Sequence, residues 1–475
     1  MKHYEKCVIF LMSIVRFNAY LQLFLLNLTI KHYDKLCNLH VARNIVEGKT
    51  NYMKAIEIFK DRKFMKWMFA LTLPIAFQNL IGSLVNTADT IMIGQLGETE
   101  IAAVGIANQV FFILALICFG ITAGCNVFVA QFWGKKDIDN IRRTMSLSVI
   151  LSLIPSAIFT VLAIASPNAL MYIFSRDAEV VALGSDYLRI IAYCYIPFAV
   201  SLTIGGTIRT TERPNLPLGM SIIALFTNVT LNYILIFGKL GFAPMGVEGA
   251  ALATTVTRLL EMLIYLVLLY TKYNSLSMRI RDFRRCMHGA FVKPFMRAIT
   301  PVILNETTWG VGVALYSAIY SEMGRNVVAA VTIVKTFEGL LNAFFMGMAY
   351  AAGVMVGKTV GERREEVALD YRRKYNIITP VFSIALAIVL ICLAPFMIGI
   401  YNLSDIVRHE ATIMLIVLAV FVPIKNTNLV QMCGVLRSGG DTKISLFLDL
   451  MDVWLIALPL GVICGIWLIT PTRQS

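Results

Sequence analysis

Leu73-Pro74-Ile75-Ala76-Phe77-Gln78-Asn79 and Thr300-Pro301-Val302-Ile303-Leu304-Asn305-Glu306 open two long apolar runs that lie 227 residues apart, proline on proline. The same offset carries Gly97 onto Gly324, Ala102-Ala103 onto Ala329-Ala330, Gly120 onto Gly347 and Gly134 onto Gly361. Further on, Gly206-Thr207-Ile208-Arg209-Thr210 meets Gly434-Val435-Leu436-Arg437-Ser438 at 228, which one inserted residue explains. A single Gly or Ala match means little in apolar helices, but a constant offset over five of them marks an internal repeat. Two halves of six spans each start on the same side, so an axis along the membrane normal relates them and a cavity lies between them.

Working outward, 58% of the residues are hydrophobic and the mean hydropathy is +0.73. A water-soluble domain of this length would expose too much apolar surface, so the solvent is lipid. About 20 apolar residues cross a bilayer core. On that basis spans run over residues 67–93, 101–132, 144–165, 181–207, 216–237 and 246–270, then 294–323, 329–356, 375–400, 412–436 and 443–469. The fold class is all-α, a polytopic membrane protein of two six-helix lobes with the last helix missing. The organisation is an extension 1–52, a first lobe 53–270, a basic linker 271–293 and a second lobe 294–475.

The net charge of +13 forms no stripe or tail for nucleic acid. It sits in alternate loops: Lys60, Arg62, Lys63 and Lys66 before span 1; Lys135, Lys136, Arg142 and Arg143 after span 2; and Arg209 and Arg213 after span 4. Arg279 to Lys293 fill the linker, Lys358 to Lys374 follow span 8, and Arg437 and Lys443 follow span 10. The positive-inside rule makes all of these cytoplasmic and the protein a multi-pass plasma (inner) membrane chain. Cysteines such as Cys118, Cys125, Cys194, Cys392 and Cys433 are scattered through apolar runs and read as small packing residues. No nucleotide loop, His cluster or filter-like motif appears, so the sequence implies no enzyme and no cofactor.

Two ends are irregular. The partner of span 6 falls near residue 474, so the twelfth span reads as absent, through a truncated gene or a changed frame near Pro471-Thr472-Arg473-Gln474-Ser475. Residues 1–52 precede the repeat and read either as a non-native extension or as an interfacial or spanning helix, with no signal-peptide cleavage site.

Val85-Asn86-Thr87-Ala88-Asp89-Thr90, Gly94-Gln95-Leu96-Gly97 and Ile101-Ala102-Ala103-Val104-Gly105-Ile106-Ala107-Asn108-Gln109 stand out in the first half. So do Gln131-Phe132-Trp133-Gly134, Leu231-Asn232-Tyr233 and Gly246-Val247-Glu248-Gly249. Together with the repeat, these stretches resemble the multidrug and toxic compound extrusion (MATE) family from residue 53 onward. The resemblance implies a V-shaped pair of lobes that exchange protons or sodium for small organic, often cationic, compounds, the chain acting as a monomer in the bilayer.

The residues themselves give reasons. Asp89 lies fifteen residues beyond Pro74, roughly 22 Å along a helix. An ionised carboxylate facing hydrocarbon costs roughly 2.5–3.5 kcal/mol, so Asp89 either faces a cavity, there binding a cation or a proton, or sits at the interface. Asn228 and Asn232, four apart, share a helix face and offer amide oxygens, and Thr254 and Thr255 lie on span 6. The resemblance makes Asp89, Asn228, Asn232 and Thr254 a cation site, although one family pattern has Asp where Asn232 stands. Pro74 and Pro301 break a backbone hydrogen bond in mid-span and can kink the helix, and the resemblance implies that the kink serves gating.

In the second half Glu306 is the candidate cation or proton carboxylate, with Trp309 where many relatives carry a glutamate. Asn426 stands where one branch has an aspartate, flanked by Lys425, and Lys335 and Glu338 are spaced to pair on span 8. The reading is alternating-access export coupled to protons or sodium. Rivals are a lipid-linked oligosaccharide flippase, which Lys335 and Lys425 keep open, and an ion channel.

Overall fold

The computed structural model of the protein describes residues 55–322, 325–399 and 405–463. The N-terminal extension 1–52, Gly324 and the segment beyond residue 463 lie outside the described residues. After a short helix, Ala55–Lys60, the chain forms α1 Arg62–Gly94, α2 Glu98–Gly134, α3 Ile138–Ala165, α4 Ala178–Thr210, α5 Asn215–Phe237 and α6 Gly246–Thr271. The second half supplies α7 Gly289–Glu322, α8 Arg325–Gly361, α9 Glu365–Gly399, α10 Val407–Gly439 and α11 Thr442–Val462.

Ten of these helices are long and apolar enough to cross a membrane. The eleventh expected span, α7, is a continuous 34-residue helix. Asn305, Glu306, Thr307 and Thr308 dilute its apolar middle. The stretch read as a linker, 271–293, is partly helical: Ile280–Cys286 forms a helix and α7 begins at Gly289, ahead of the expected 294.

Local chemistry sets the boundaries. Asp61 caps α1 by accepting from the Phe64 amide, and Asp137 caps α3 by accepting from Asn140. α4 is interrupted by a 3-10 turn at Ala192–Cys194, just before Pro197, whose missing N–H cannot continue the ladder. α10 and α11 each contain a π-helical stretch, Val430–Leu436 and Met451–Ala457. The first lies where the repeat offset has grown from 227 to 228, and a wide turn absorbs such an extra residue without breaking the helix. Among the described residues the cysteines carry no disulfide; Cys118, Cys125 and Cys194 are buried in packing, whereas Cys392 is exposed.

The two halves meet through repeat-related glycines. A Cβ on Gly120 would lie 2.8 Å from the Ile303 Cα, and one on Gly347 would lie 2.7 Å from the Thr72 oxygen and 3.0 Å from the Ala76 nitrogen. At the basic ends of α2 and α8, Gly134 faces the Lys358 carbonyl oxygen and Gly361 faces that of Gln131, each with no room for a Cβ. The same helix surfaces therefore approach twice, as a pseudo-two-fold axis demands. Phe64, Met68 and Leu71 of α1 pack with Phe345, Met348 and Met355 of α8 and Tyr375 of α9, all nearly free of solvent.

Polar contacts reinforce this basic-side closure. Lys358 pairs with Glu212 at 2.8 Å, Trp133 Nε1 donates to the same carboxylate at 2.8 Å, and Gln131 donates to the Ser438 carbonyl at 3.1 Å. Lys374 bridges Asp61 and Asp370 at 2.7 Å each. Toward the opposite ends of the helices, Leu84 on α1, Phe112 on α2, Trp309 on α7 and Leu340 on α8 are all at least 40% exposed.

The Lys374 hydrogen bond, chiefly, holds the Asp61 carboxyl below its ordinary value. A depressed carboxylate stabilises the fold above its unfolded pKa, and the contribution disappears as pH falls through the folded value. Asp61 is about a third exposed, so Asp61→Asn should cost less than about 1 kcal/mol at neutral pH. Thermal melts of parent and variant should then converge on acidification; a gap that persists in acid would refute the assignment.

Candidate cation-binding site

α1 carries Asp89 four turns past Pro74 and delivers it against α5, where Asn228 and Asn232 sit one turn apart on a single buried face. Asn232 Nδ2 donates to Asp89 Oδ1 and, at 3.2 Å, to Asn228 Oδ1. Asn228 Nδ2 in turn donates to the Thr254 hydroxyl of α6 at 3.3 Å. The four residues singled out from the sequence thus form one hydrogen-bonded chain across three helices. Asn228 and Asn232 are 1% and 0% exposed, and Asn232 Oδ1 is buried without a hydrogen-bond partner. An orphaned amide oxygen beside a carboxylate is an unfilled acceptor, and a hard cation or a donated proton satisfies both.

No Lys or Arg lies within ion-pair distance of Asp89 among the described residues. Arg258 on α6 is bound to Glu261 at 2.9 Å and acts on Asp89 only through the longer-range field. The sequence reading missed Arg258 and Tyr187, which lines the same region and donates to Asn108 at 3.4 Å. Their signal was an arginine and a tyrosine inside apolar runs. Thr255, weighed beside Thr254, donates instead to the Ile190 carbonyl at 3.2 Å and so serves the α4–α6 contact.

The second half is arranged differently. Glu306 does not join an open acceptor set: Arg437 Nη1 donates to it at 2.6 Å and Nη2 to Asn305 Oδ1 at 3.1 Å, while Asn305 Nδ2 donates to Asp449. Arg437, counted from the sequence as a cytoplasmic-turn charge, is 6% exposed and points into the bundle.

The expected Lys335–Glu338 pair does not form. Glu338 takes Lys425 of α10, and Lys335 lies 5.6 Å over the Tyr320 ring and donates to Ser317 at 3.4 Å. The facing helix offered Glu338 a shorter path than its own neighbour three residues back. Asn426 is 1% exposed with both amide atoms lacking a hydrogen bond, and Trp309 is 47% exposed. Neither belongs to the Asp89 chain. Pro74 and Pro301 both lie inside unbroken helices, the first half-buried and the second buried.

The MatE family model matches residues 74–234 and again 301–463. The chain belongs to the MatE family. The double match falls on the two repeats found at offset 227. This MatE chain is 24% identical over 415 residues to the probable multidrug resistance protein NorM of Thermotoga maritima, covering 86% of this chain and 87% of that one. It is 20% identical over 405 residues to the uncharacterized transporter YisQ of Bacillus subtilis, covering 84% and 88%. Among solved structures it resembles a MATE protein in complex with MaL6 (TM-score 0.76, 22% identity, 88% and 94% covered). It also resembles the outward-facing conformation of a multidrug resistance MATE family transporter (TM-score 0.75, 21% identity, 89% and 97% covered).

Proposed function

We propose that this MatE protein is a secondary efflux transporter that exchanges a proton or sodium ion, taken up at Asp89, for a small organic and often cationic compound. The observation that carries the reading is the Asp89–Asn232–Asn228–Thr254 chain: a membrane carboxylate with neutral oxygen partners, an unfilled amide acceptor and no ion-paired base. Such a group changes charge when an ion binds, and in a low-dielectric setting that change is strongly felt by its surroundings.

The halves approach closely at their basic ends, and Asp89 lies toward the opposite end of α1, the side from which, on this reading, a coupling ion comes. Alternating access follows if ion and substrate favour opposite states, since a ligand shifts a conformational equilibrium only by its differential affinity. The relatives named for multidrug resistance support efflux as the direction. The flippase reading loses one of its two lysines, because Lys425 is already neutralised by Glu338.

Reconstitution tests the proposal. In proteoliposomes loaded with a fluorescent organic cation such as ethidium, an imposed inward gradient of either protons or sodium should accelerate efflux several-fold, and collapsing it with the matching ionophore should remove the effect. Gradient-independent movement, or single-channel currents, would sink it.

A further inference from the structure

Asn305 and Glu306 occupy the repeat positions of Gln78 and Asn79, and Asp449 that of Ser221, whereas Arg437 is matched by Arg209. The second half has therefore added two carboxylates around an arginine position that both halves share. Conversely, Asp89, Asn228 and Asn232 correspond to Tyr316, Ile456 and Leu460. The two charged clusters are not images of each other.

Their electrostatics differ in kind. Around Asp89 the contacting groups are neutral amides. In the second half a guanidinium bridges Glu306, at 2.6 Å, and Asn305, at 3.1 Å, and Asn305 hands its own donor on to Asp449. In the first half the guanidinium of Arg209 sits instead 4.2 Å over the ring of Tyr350, a residue of α8. The planar fork of arginine suits simultaneous contact with a carboxylate and an amide oxygen, and charge-assisted bonds of this length are strong. Arg437 follows directly on the π-helical stretch Val430–Leu436, whose wider turns shift its direction relative to an unbroken α-helix. Arg437 Nε finds no partner, so Nη1 and Nη2 alone hold the group.

We infer that Arg437 is a tethered, resident cation: it fills the place between Glu306 and the Asn305–Asp449 pair that a mobile cation would otherwise take, leaving one coupling cation per cycle, at Asp89. A carboxylate inside a membrane must be compensated, and a covalently attached guanidinium does so without ever dissociating. On this reading the Glu306–Arg437 pair contributes fixed charge and packing rather than a second ion site. The inference rests on the reading of Asp89 as the coupling site for its count of one, while the exclusion of ions from the Glu306 cluster stands separately.

Cation counting on the reconstituted full chain decides it, with equilibrium binding of radioactive sodium as one arm and proton uptake after a pH jump in weak buffer as the other. The parent should bind one cation per chain in whichever arm responds. Asp89→Asn should lose it, and Glu306→Gln and Asp449→Asn should each keep it. Arg437→Met, which keeps bulk and removes charge, should bind a second cation, lost again on adding Glu306→Gln.

Loss of a cation in Glu306→Gln or Asp449→Asn while Arg437 is present would overturn the inference, as would a folded Arg437→Met that gains none. Should Arg437→Met fail to fold, the two carboxamide variants still decide. If Asp89→Asn loses nothing, the coupling-site reading falls, and the Glu306 arm still judges Arg437.

Discussion

Asp89→Asn should abolish gradient-driven efflux, reducing it by at least about 10²-fold to the rate of empty liposomes, while expression and thermal stability stay level or rise. The substitution is nearly isosteric and keeps an oxygen for the Asn232 amide, so the α1–α5–α6 packing survives. What disappears is the charge. An ion that cannot distinguish two states moves no equilibrium between them, so coupling fails however well the protein folds. Stability moves the other way: a membrane carboxylate costs about 2.5–3.5 kcal/mol, and neutralising it removes that cost. Flux and melting curves from one preparation separate the two effects. A variant that transports as fast as its parent would show that Asp89 is not the coupling group.

Gly361→Leu should trap the transporter away from the closed basic side. In most helical settings replacing glycine stabilises by up to about 1 kcal/mol. Here the new Cβ would overlap the Gln131 carbonyl of the other half, and its repeat mate Gly134 is equally confined by Lys358. Backbone has no rotamer to yield, so overpacking of about 1–3 kcal/mol outweighs propensity and shifts the population of the closed state by roughly 5- to 150-fold. Labelling of a cysteine placed near Glu212 by a membrane-impermeant thiol reagent, in inside-out vesicles, should speed up accordingly, and efflux should slow. Gly82→Ala, with nothing within 4 Å of the new carbon, is the matched control. Equal labelling of Gly361→Leu and parent would refute the close approach.

The architecture could be read early because it is written in spacing. Pro74 with Pro301 and Gly134 with Gly361 repeat at one offset, and the glycines proved to be where the halves touch. The Asp89 chain was equally legible, since a lone carboxylate and an i, i+4 pair of asparagines stand out against apolar neighbours. The second half was harder for physical reasons. Arg437 follows a π-helical stretch, which leaves no compositional trace, so counting charges by loop assigned it to the cytoplasmic turn while its side chain turned inward. Glu338 was matched with the nearest lysine along the helix, yet the partner it takes, Lys425, is 87 residues away on another helix. Helical periodicity predicts neighbours within an element and is silent about which helix packs alongside.

α2 and α8 are each 37 residues long, roughly 55 Å, against a hydrocarbon core of about 30 Å. Both overshoot the bilayer, and their basic ends carry the Glu212–Lys358 contact into the aqueous layer beneath it. The ion pairs there are consequently within reach of the surrounding electrolyte, while the glycine contacts and apolar packing are not. With a Debye length near 8 Å at physiological ionic strength, raising salt weakens the partly exposed Glu212–Lys358 and Asp61–Lys374 pairs while leaving the glycine contacts untouched. The ionic part of that contact is thereby tied to the ionic strength of the solution it faces.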